Sequence, residues 1–378
     1  MWTPQNLYSK FILKQPHILF GENAMGGLKT LPMSRLAVIH GTGINERHKE
    51  LITKSTSAFS IKFIKKTWAD EPTRKSFKEN LKDLEEFQPD VILAIGGGSV
   101  LDGAKILRCL YEFPYFDIEN NNFSMLEWST KFIAIPTTIG SGSELSSAAV
   151  LINEEKATKE FVVSHSFIPE VVVFDSIFLE NAPKKVLLLS CIDALAHLIE
   201  GYVSNVDNEL IDVYAEKALS LIASNYKGIL DSDKCKIQNL QMASYFAGMV
   251  QNHCIVGACH AIAHQLGAMN YPHALGIALV LTEVIKANAK NKEALLKYNK
   301  LAKSSGLGES YEDLIALINK VKSELSLESE ISAFKDDLGK MYGNTILYEN
   351  IINDKGGQGN PVVIDKAYID AILKSLMV

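Results

Sequence analysis

The chain has 378 residues, enough for two to three domains of ~150 residues each. Its 47% hydrophobic and 22% charged residues match ordinary globular proteins and exclude the disordered and fibrous classes. A net charge of -6, from 38 basic and 44 acidic residues, offers no basic field for nucleic acid or an anionic membrane and favours small-molecule chemistry.

The N-terminal stretch MWTPQNLYSKFILKQPHILF lacks the basic, apolar and small-residue succession of a secretory signal. No segment reaches the ~18 uninterrupted apolar residues of a membrane span. LAVIH (36–40), SIKFIKK (60–66), VILAI (91–95), KFIAI (131–135) and VVVFD (171–175) read as strands, and VILAI and KFIAI are the short apolar runs typical of a buried parallel sheet. RKSFKENLKDLEEF (74–87) has helical spacing between the second and third. Strands alternating with helices predict a parallel sheet with right-handed crossovers.

After about residue 180 the texture changes to long helical periods: KKVLLLSCIDALAHLIEGYVS (184–204), NELIDVYAEKALSLIASNY (208–226) and KEALLKYNKLAKSSG (292–306). The expected organisation is an α/β domain over 1–180 and an all-α domain over 181–378, joined near Asn181-Ala182-Pro183. The run Gly356-Gly357-Gln358-Gly359-Asn360-Pro361 reads as a surface turn. Five cysteines, an odd number without CxxC spacing, predict reduced thiols and a cytoplasmic protein.

Three segments carry chemistry. VILAI runs through Gly96-Gly97-Gly98-Ser99 into the helical pattern VLDGAKILRCLYEF. A strand, a glycine turn and a helix start set backbone N–H groups and a positive dipole end where phosphate can sit, against the plainer reading of a tight turn without ligand. KFIAIP leads into the hydroxyl- and glycine-rich Thr137-Thr138-Ile139-Gly140-Ser141-Gly142-Ser143-Glu144, a set of donors for phosphate or carboxamide, or else a polar connection. Two such loops at the ends of successive strands would lie together at the carboxyl edge of the sheet.

The third segment is histidine-rich: His253, His260, His264 and His273 fall within 253–273. Asp193 and His197, four apart on an apolar helix, share a face, as do His260 and His264. One carboxylate with several imidazoles is the usual inventory of a first-row metal site, although each pair alone also reads as a buried hydrogen bond. His253 either projects into the same cavity or is a hydrogen-bonded helix residue, and Cys254 and Cys259 read as packing residues.

GGGSVLDGAK (96–105), PTTIGSGSE (136–144), Asp175, DALAHLIEGYVS (193–204), HAIAHQLGA (260–268) and the Pro-His at 272–273 together resemble the iron-containing (group III) alcohol dehydrogenase family. Weaker likeness from FGENAMGGL (20–28) to Asn360-Pro361 extends it over essentially the whole chain. The resemblance implies a Rossmann-like nucleotide-binding domain with a parallel sheet and an all-α metal-binding domain, the dehydroquinate synthase-like fold. It implies metal ligation by Asp193, His197, His260 and His273, with Fe²⁺ expected and Zn²⁺ the alternative. It places pyrophosphate at Gly97, Gly98 and Ser99, and lines the cofactor cleft with Gly41, Asp102, Thr137, Thr138, Ser141 and Lys159. His264 matches a histidine suspected of relaying the proton.

The chain departs from the family pattern at His273-Ala274, where His-Gly is usual, at Leu281-Thr282-Glu283, in a loop between His264 and His273 one residue shorter than in several members, and at His253. Many members end the first strand with an Asp that binds the adenosine ribose and repels a 2′-phosphate. His40-Gly41-Thr42-Gly43 carries no acid, which predicts NADP(H) over NAD(H).

The expected activity is hydride transfer, in an interdomain cleft, between nicotinamide C4 and an alcohol or aldehyde polarised by the metal. The partners expected are a small alcohol or aldehyde and further copies of the chain, a homodimer or higher oligomer, with neither nucleic acid nor membrane. Two rivals are a dehydroquinate-synthase-like lyase or cyclase using metal and NAD, and a nucleotide-binding protein without activity.

Overall fold

The computed structural model describes residues 14–69, 72–115, 127–153, 158–206 and 208–377. The chain falls into two compact units, Met1–Pro183 and Lys184–Val378. In chain order the first holds β1 (His17–Phe20), β2 (Arg35–His40), α1 (Glu46–Ser55), β3 (Ser60–Lys65), α2 (Lys78–Phe87), β4 (Val91–Gly96), α3 (Gly98–Glu112), β5 (Lys131–Pro136), β6 (Ala148–Asn153), β7 (Thr158–Val163) and β8 (Val171–Phe174).

Six strands form a wholly parallel sheet in the order β1-β8-β5-β4-β2-β3. Its central strand β4 is buried along its full length, which is why it reads as an unbroken apolar run. From β2 the chain steps outward to β3, then returns to the other side of β2 and proceeds through β4, β5 and β8. The strand order therefore reverses between β2 and β4, the crevice where open α/β sheets bind ligands. Helices start and stop on local signals. Asn45 caps α1 through His48 N, and Gln88, at φ 50, ends α2 in the left-handed region.

All five expected strands are present, together with three that were not expected. β1 is a four-residue edge strand pairing with β8, too short to show a pattern, so the 36–40 strand is second in the chain. β6 and β7 form a separate antiparallel pair whose register runs from Ala148↔Val163 to Asn153↔Thr158.

The second unit is helical throughout its described residues: α4 (Lys184–Val203), α5 (Glu209–Asn225), α6 (Gly228–Asp231), α7 (Lys234–His253), α8 (Ala258–Ala268), α9 (His273–Asn288), α10 (Lys292–Ser304), α11 (Tyr311–Ser323), α12 (Glu328–Met341), α13 (Thr345–Ile352) and α14 (Lys366–Met377). α4 is long and apolar enough to cross a membrane by length and composition, yet 89% of that window is buried inside the fold. It packs against α5, α7, α9, α10 and α11, so its apolarity on every side is that of a core helix.

The 356–361 segment corrects an expectation. Gly356–Gly359 is a single 3₁₀ turn, and Gly357, Gly359 and Asn360 are buried rather than forming a surface turn. A Cβ on Gly359 would lie 2.1 Å from the Ile255 carbonyl oxygen, so this glycine is set by close approach of two backbones.

Candidate functional site

In the first unit the two glycine loops lie side by side. Gly96 pairs with Pro136 at the ends of β4 and β5, and Thr137 N donates to the Gly96 carbonyl at 3.0 Å. A Cβ on Gly97 would meet Thr138 Cγ2 at 3.2 Å, and one on Gly98 would meet Ser141 Cβ at 2.9 Å. The glycines thus let one loop seat on the other. Gly97, the N-cap residue of α3, offers no side-chain cap and Val100 N–H turns back onto its carbonyl at 2.9 Å, so the positive end of the helix dipole faces the carboxyl edge. Gly97, Gly98, Ser99, Thr137, Thr138 and Ser141 are all half-buried there. Gly41, buried at the end of β2, stands on the other side of the crevice with Val100 Cγ2 3.2 Å from where its Cβ would be. The Lys159 side chain lies outside the described residues.

Asp102 is engaged within the unit. It lies 3.3 Å from the buried Lys105 ammonium and accepts from Val150 N at 3.1 Å, while Lys105 also donates to the carbonyls of Ser146 and Ala148. Burial pushes the Asp102 carboxyl up and the Lys105 ammonium down from their ordinary values. Nearby Glu144 is also buried, and its carboxyl is pushed up to about 7.

In the second unit α4, α8 and α9 bring the expected ligands together. Asp193 Oδ1 lies 3.9 Å from His197 Nε2, 3.7 Å from His260 Nε2 and 3.6 Å from His273 Nε2. These separations are too long for hydrogen bonds. They approach the ~3.3 Å between donors that share one tetrahedral ion at bonds of about 2.0–2.1 Å. Asp193, His197 and His260 offer donor atoms all within 4.8 Å of one another, and all three are buried. His273, the first residue of α9, is more open, with its side chain 28% exposed.

The His260 Nε2 atom is buried and has no hydrogen-bond partner. Leaving such an atom unsatisfied is costly, and a cation at the shared point satisfies it. Burial opposes a charged His260 ring, but the hydrogen bond and charge of Glu200, with Asp193 and Asp354, outweigh it and raise the pKa. The same negative field attracts a metal ion. One carboxylate and neutral imidazoles, held on rigid helices, fit a first-row divalent metal.

His264, one turn beyond His260, stacks on His273 with ring centroids 5.4 Å apart and places Nδ1 2.9 Å from Asp354 Oδ2. His253 is a hydrogen-bonded helix residue, its Nδ1 2.7 Å from the Met249 carbonyl at the end of α7. Cys254 and Cys259 are buried thiols, as their packing role predicts. Three residues were missed: Glu200, Asp354 and Asn360. The available signal for Glu200 was its place seven residues after Asp193, on the same face of an otherwise apolar helix.

Family models for iron-containing alcohol dehydrogenase and for the C-terminal part of that family match residues 15–176 and 188–377. The chain belongs to the iron-containing alcohol dehydrogenase family. It is 30% identical over 365 residues to the NADPH-dependent butanol dehydrogenase of Clostridium saccharobutylicum, covering 92% of this chain and 93% of that protein. It is 31% identical to the 1-propanol dehydrogenase of Citrobacter freundii over 81% of this chain and 83% of that one. The iron-containing alcohol dehydrogenase of Thermococcus thioreducens superposes with a TM-score of 0.82 at 25% identity, covering 97% of this chain and 99% of that structure. The chain is therefore an enzyme, an oxidoreductase with alcohol dehydrogenase activity, and the family implies a metal and a nicotinamide cofactor.

Proposed function

We propose that the enzyme interconverts short-chain primary alcohols and aldehydes with NADP(H), using Fe²⁺ held by Asp193, His197, His260 and His273. The observation that carries this reading is the buried Asp193–His197–His260 donor set with the unpartnered His260 Nε2 at its centre. The names of the butanol and 1-propanol relatives support the substrate class, and the family name supports iron over zinc. When bound, the metal supplies Lewis-acid polarisation of the substrate oxygen and the nicotinamide supplies or takes the hydride.

The chain's own residues do the rest. Gly97, Gly98 and Ser99 receive the pyrophosphate at the start of α3, and Asp102, Thr137, Thr138, Ser141 and Lys159 line the cofactor site. His264 passes the proton through Nε2, its Nδ1 engaged by Asp354. Absence of an acid at Gly41 leaves room for a 2′-phosphate, and the NADPH dependence of the butanol relative points the same way. We also assign the cytoplasm, in keeping with five free cysteines, four of them buried, and a homo-oligomer on the family resemblance.

Incubating Fe²⁺-loaded protein with butanal or propanal and NADPH should consume one cofactor per aldehyde reduced. Substrate conversion without net cofactor consumption favours the lyase or cyclase reading and overturns this one. In a fluorescence titration NADPH should bind more tightly than NADH, and Gly41→Asp should reverse that order. Tighter NADH binding to the unmodified protein refutes the NADP(H) assignment.

A further inference from the structure

We propose that Glu200 is a positioning residue of the metal centre, fixing the tautomer of His260 so that Nε2 carries the lone pair a metal needs. The inference rests on the metal-site reading above.

Asp193, His197 and Glu200 stand at i, i+4 and i+7 on α4, and Glu200 is 2% exposed. Both of its oxygens are engaged by the start of α8: Oε1 accepts from Cys259 N at 2.7 Å, and Oε2 lies 2.5 Å from His260 Nδ1. α8 begins at Gly257 with no cap of its own. Glu200 and Asn360, which accepts from Ala258 N at 3.2 Å, cap it from other segments. Gly257 makes room for both, since a Cβ there would lie 2.8 Å from Glu200 Oε1 and 2.9 Å from Asn360 Oδ1.

Acceptor counting gives this arrangement its chemical sense. Cys259 N–H is an obligatory donor and cannot change its role. His260 can, because a neutral imidazole carries its proton on either nitrogen. With a carboxylate at 200, both oxygens accept, the ring proton sits on Nδ1, and Nε2 is left as a lone pair 3.7 Å from Asp193 Oδ1. Glutamine at 200 has one acceptor oxygen. If that oxygen serves Cys259 N, the amide NH₂ faces Nδ1 and drives the ring proton to Nε2, onto the atom that should ligate. Glu200→Gln thus keeps shape and volume and inverts the tautomer.

Metal affinity of the full-length protein, measured with Zn²⁺ and Fe²⁺ by competition against a chromophoric chelator, tests the proposal. Glu200→Gln should bind roughly 10–100-fold more weakly, the usual loss for the partner of a ligating histidine, while cofactor affinity stays at the unmodified level. Asn360→Ala removes the neighbouring cap of the same helix and serves as the structural control: it should lower Tm with metal affinity within a fewfold of the parent. Equal metal affinity in Glu200→Gln and parent overturns the proposal. So does a loss in Asn360→Ala matching that in Glu200→Gln, which would make Glu200 a helix cap only. If the parent itself binds no metal, the metal-site reading fails, which is a separate result. Should Glu200→Gln not fold, long-range ¹H–¹⁵N correlation on histidine-labelled parent protein decides directly. An Nδ1–H tautomer at His260 supports the proposal and Nε2–H refutes it.

Discussion

α3 and α8 both have a glycine as N-cap residue, Gly97 and Gly257, and so neither carries a side-chain cap of its own. The two starts are put to different use. At α3 the neighbouring loop approaches through glycine contacts at Thr138 and Ser141, and the positive end of the helix dipole at that edge suits an anion that arrives from outside. At α8 the chain supplies the anion itself, the Glu200 carboxylate, and that same carboxylate holds the His260 ring. On the proposed reading, the α3 start would receive a diffusible phosphate, whereas the α8 start, closed by an internal carboxylate, would be a rigid platform for a metal. One end works through backbone and needs small residues; the other works through side chains and needs partners.

The sharpest way to break that division is His260→Ala. Removing a buried ligand should abolish metal retention and lower turnover by roughly 10³-fold or more, since Lewis-acid stabilisation is worth several kcal/mol at about 1.36 kcal/mol per tenfold. Cofactor affinity should stay at the parent level. Metal analysis of purified protein with steady-state assays checks it, and full turnover in metal-free His260→Ala refutes the assignment. The converse variant is Gly98→Ala, whose Cβ would press on Ser141 Cβ at 2.9 Å and Ser143 Oγ at 3.0 Å. Overpacking of this kind costs about 1–3 kcal/mol. Displacement of the paired loop should weaken cofactor binding about tenfold, equivalent to about 1.4 kcal/mol, with metal content unchanged. Metal loss in Gly98→Ala, or cofactor loss in His260→Ala, would show that the two ends are not independent.

Legibility in the sequence followed the same division. β4, its glycine turn and α3 are contiguous, so strand, turn and helix start were readable in one pass over 91–112. Asp193 with His197, and His260 with His264, were readable as pairs because four residues make one helical turn. That the two pairs meet was available only through the family resemblance, since periodicity on α4 contains nothing about α8. Glu200 was hidden because an acid on a helix ordinarily faces water, and only three-dimensional packing shows that this one does not. Asp354 and Asn360 were hidden by their glycines, which read as a turn although the segment is buried beside Ile255 and His264. β1 is only four residues long and β7 (TKEFVV) opens with polar residues, while β6 (AAVLIN) is an apolar run that directly follows the hydroxyl-rich loop and pairs apart from the main sheet, so no alternation with a crossover helix marked it.

The smallest expected effect sharpens the first unit's side of the comparison. If the α3 edge keeps its charge for an incoming ligand, the charged groups beneath it should be close to balanced, and Glu144 is where that balance is felt. Burial is the main reason its carboxyl rises from the ordinary 4.5 to about 7, opposed by its own backbone N–H and Lys105 and assisted by Asp102. A carboxyl with a raised folded-state pKa holds its proton in the folded protein at pH values where the unfolded chain has lost it. The stability it contributes is therefore complete below about pH 4.5 and lost as pH rises through about 7. A shift of this size corresponds to a contribution on the order of 3 to 3.5 kcal/mol. Glu144→Gln removes the titration, so its Tm should fall less than the parent's between pH 5 and pH 8, by about 5 °C at ~2–4 °C per kcal/mol. Asp102, also raised by burial, keeps part of the slope in the variant. Thermal melts across that range check it: coincident slopes for parent and variant would mean that Glu144 stays charged in the folded protein, with Lys105 as its counterion.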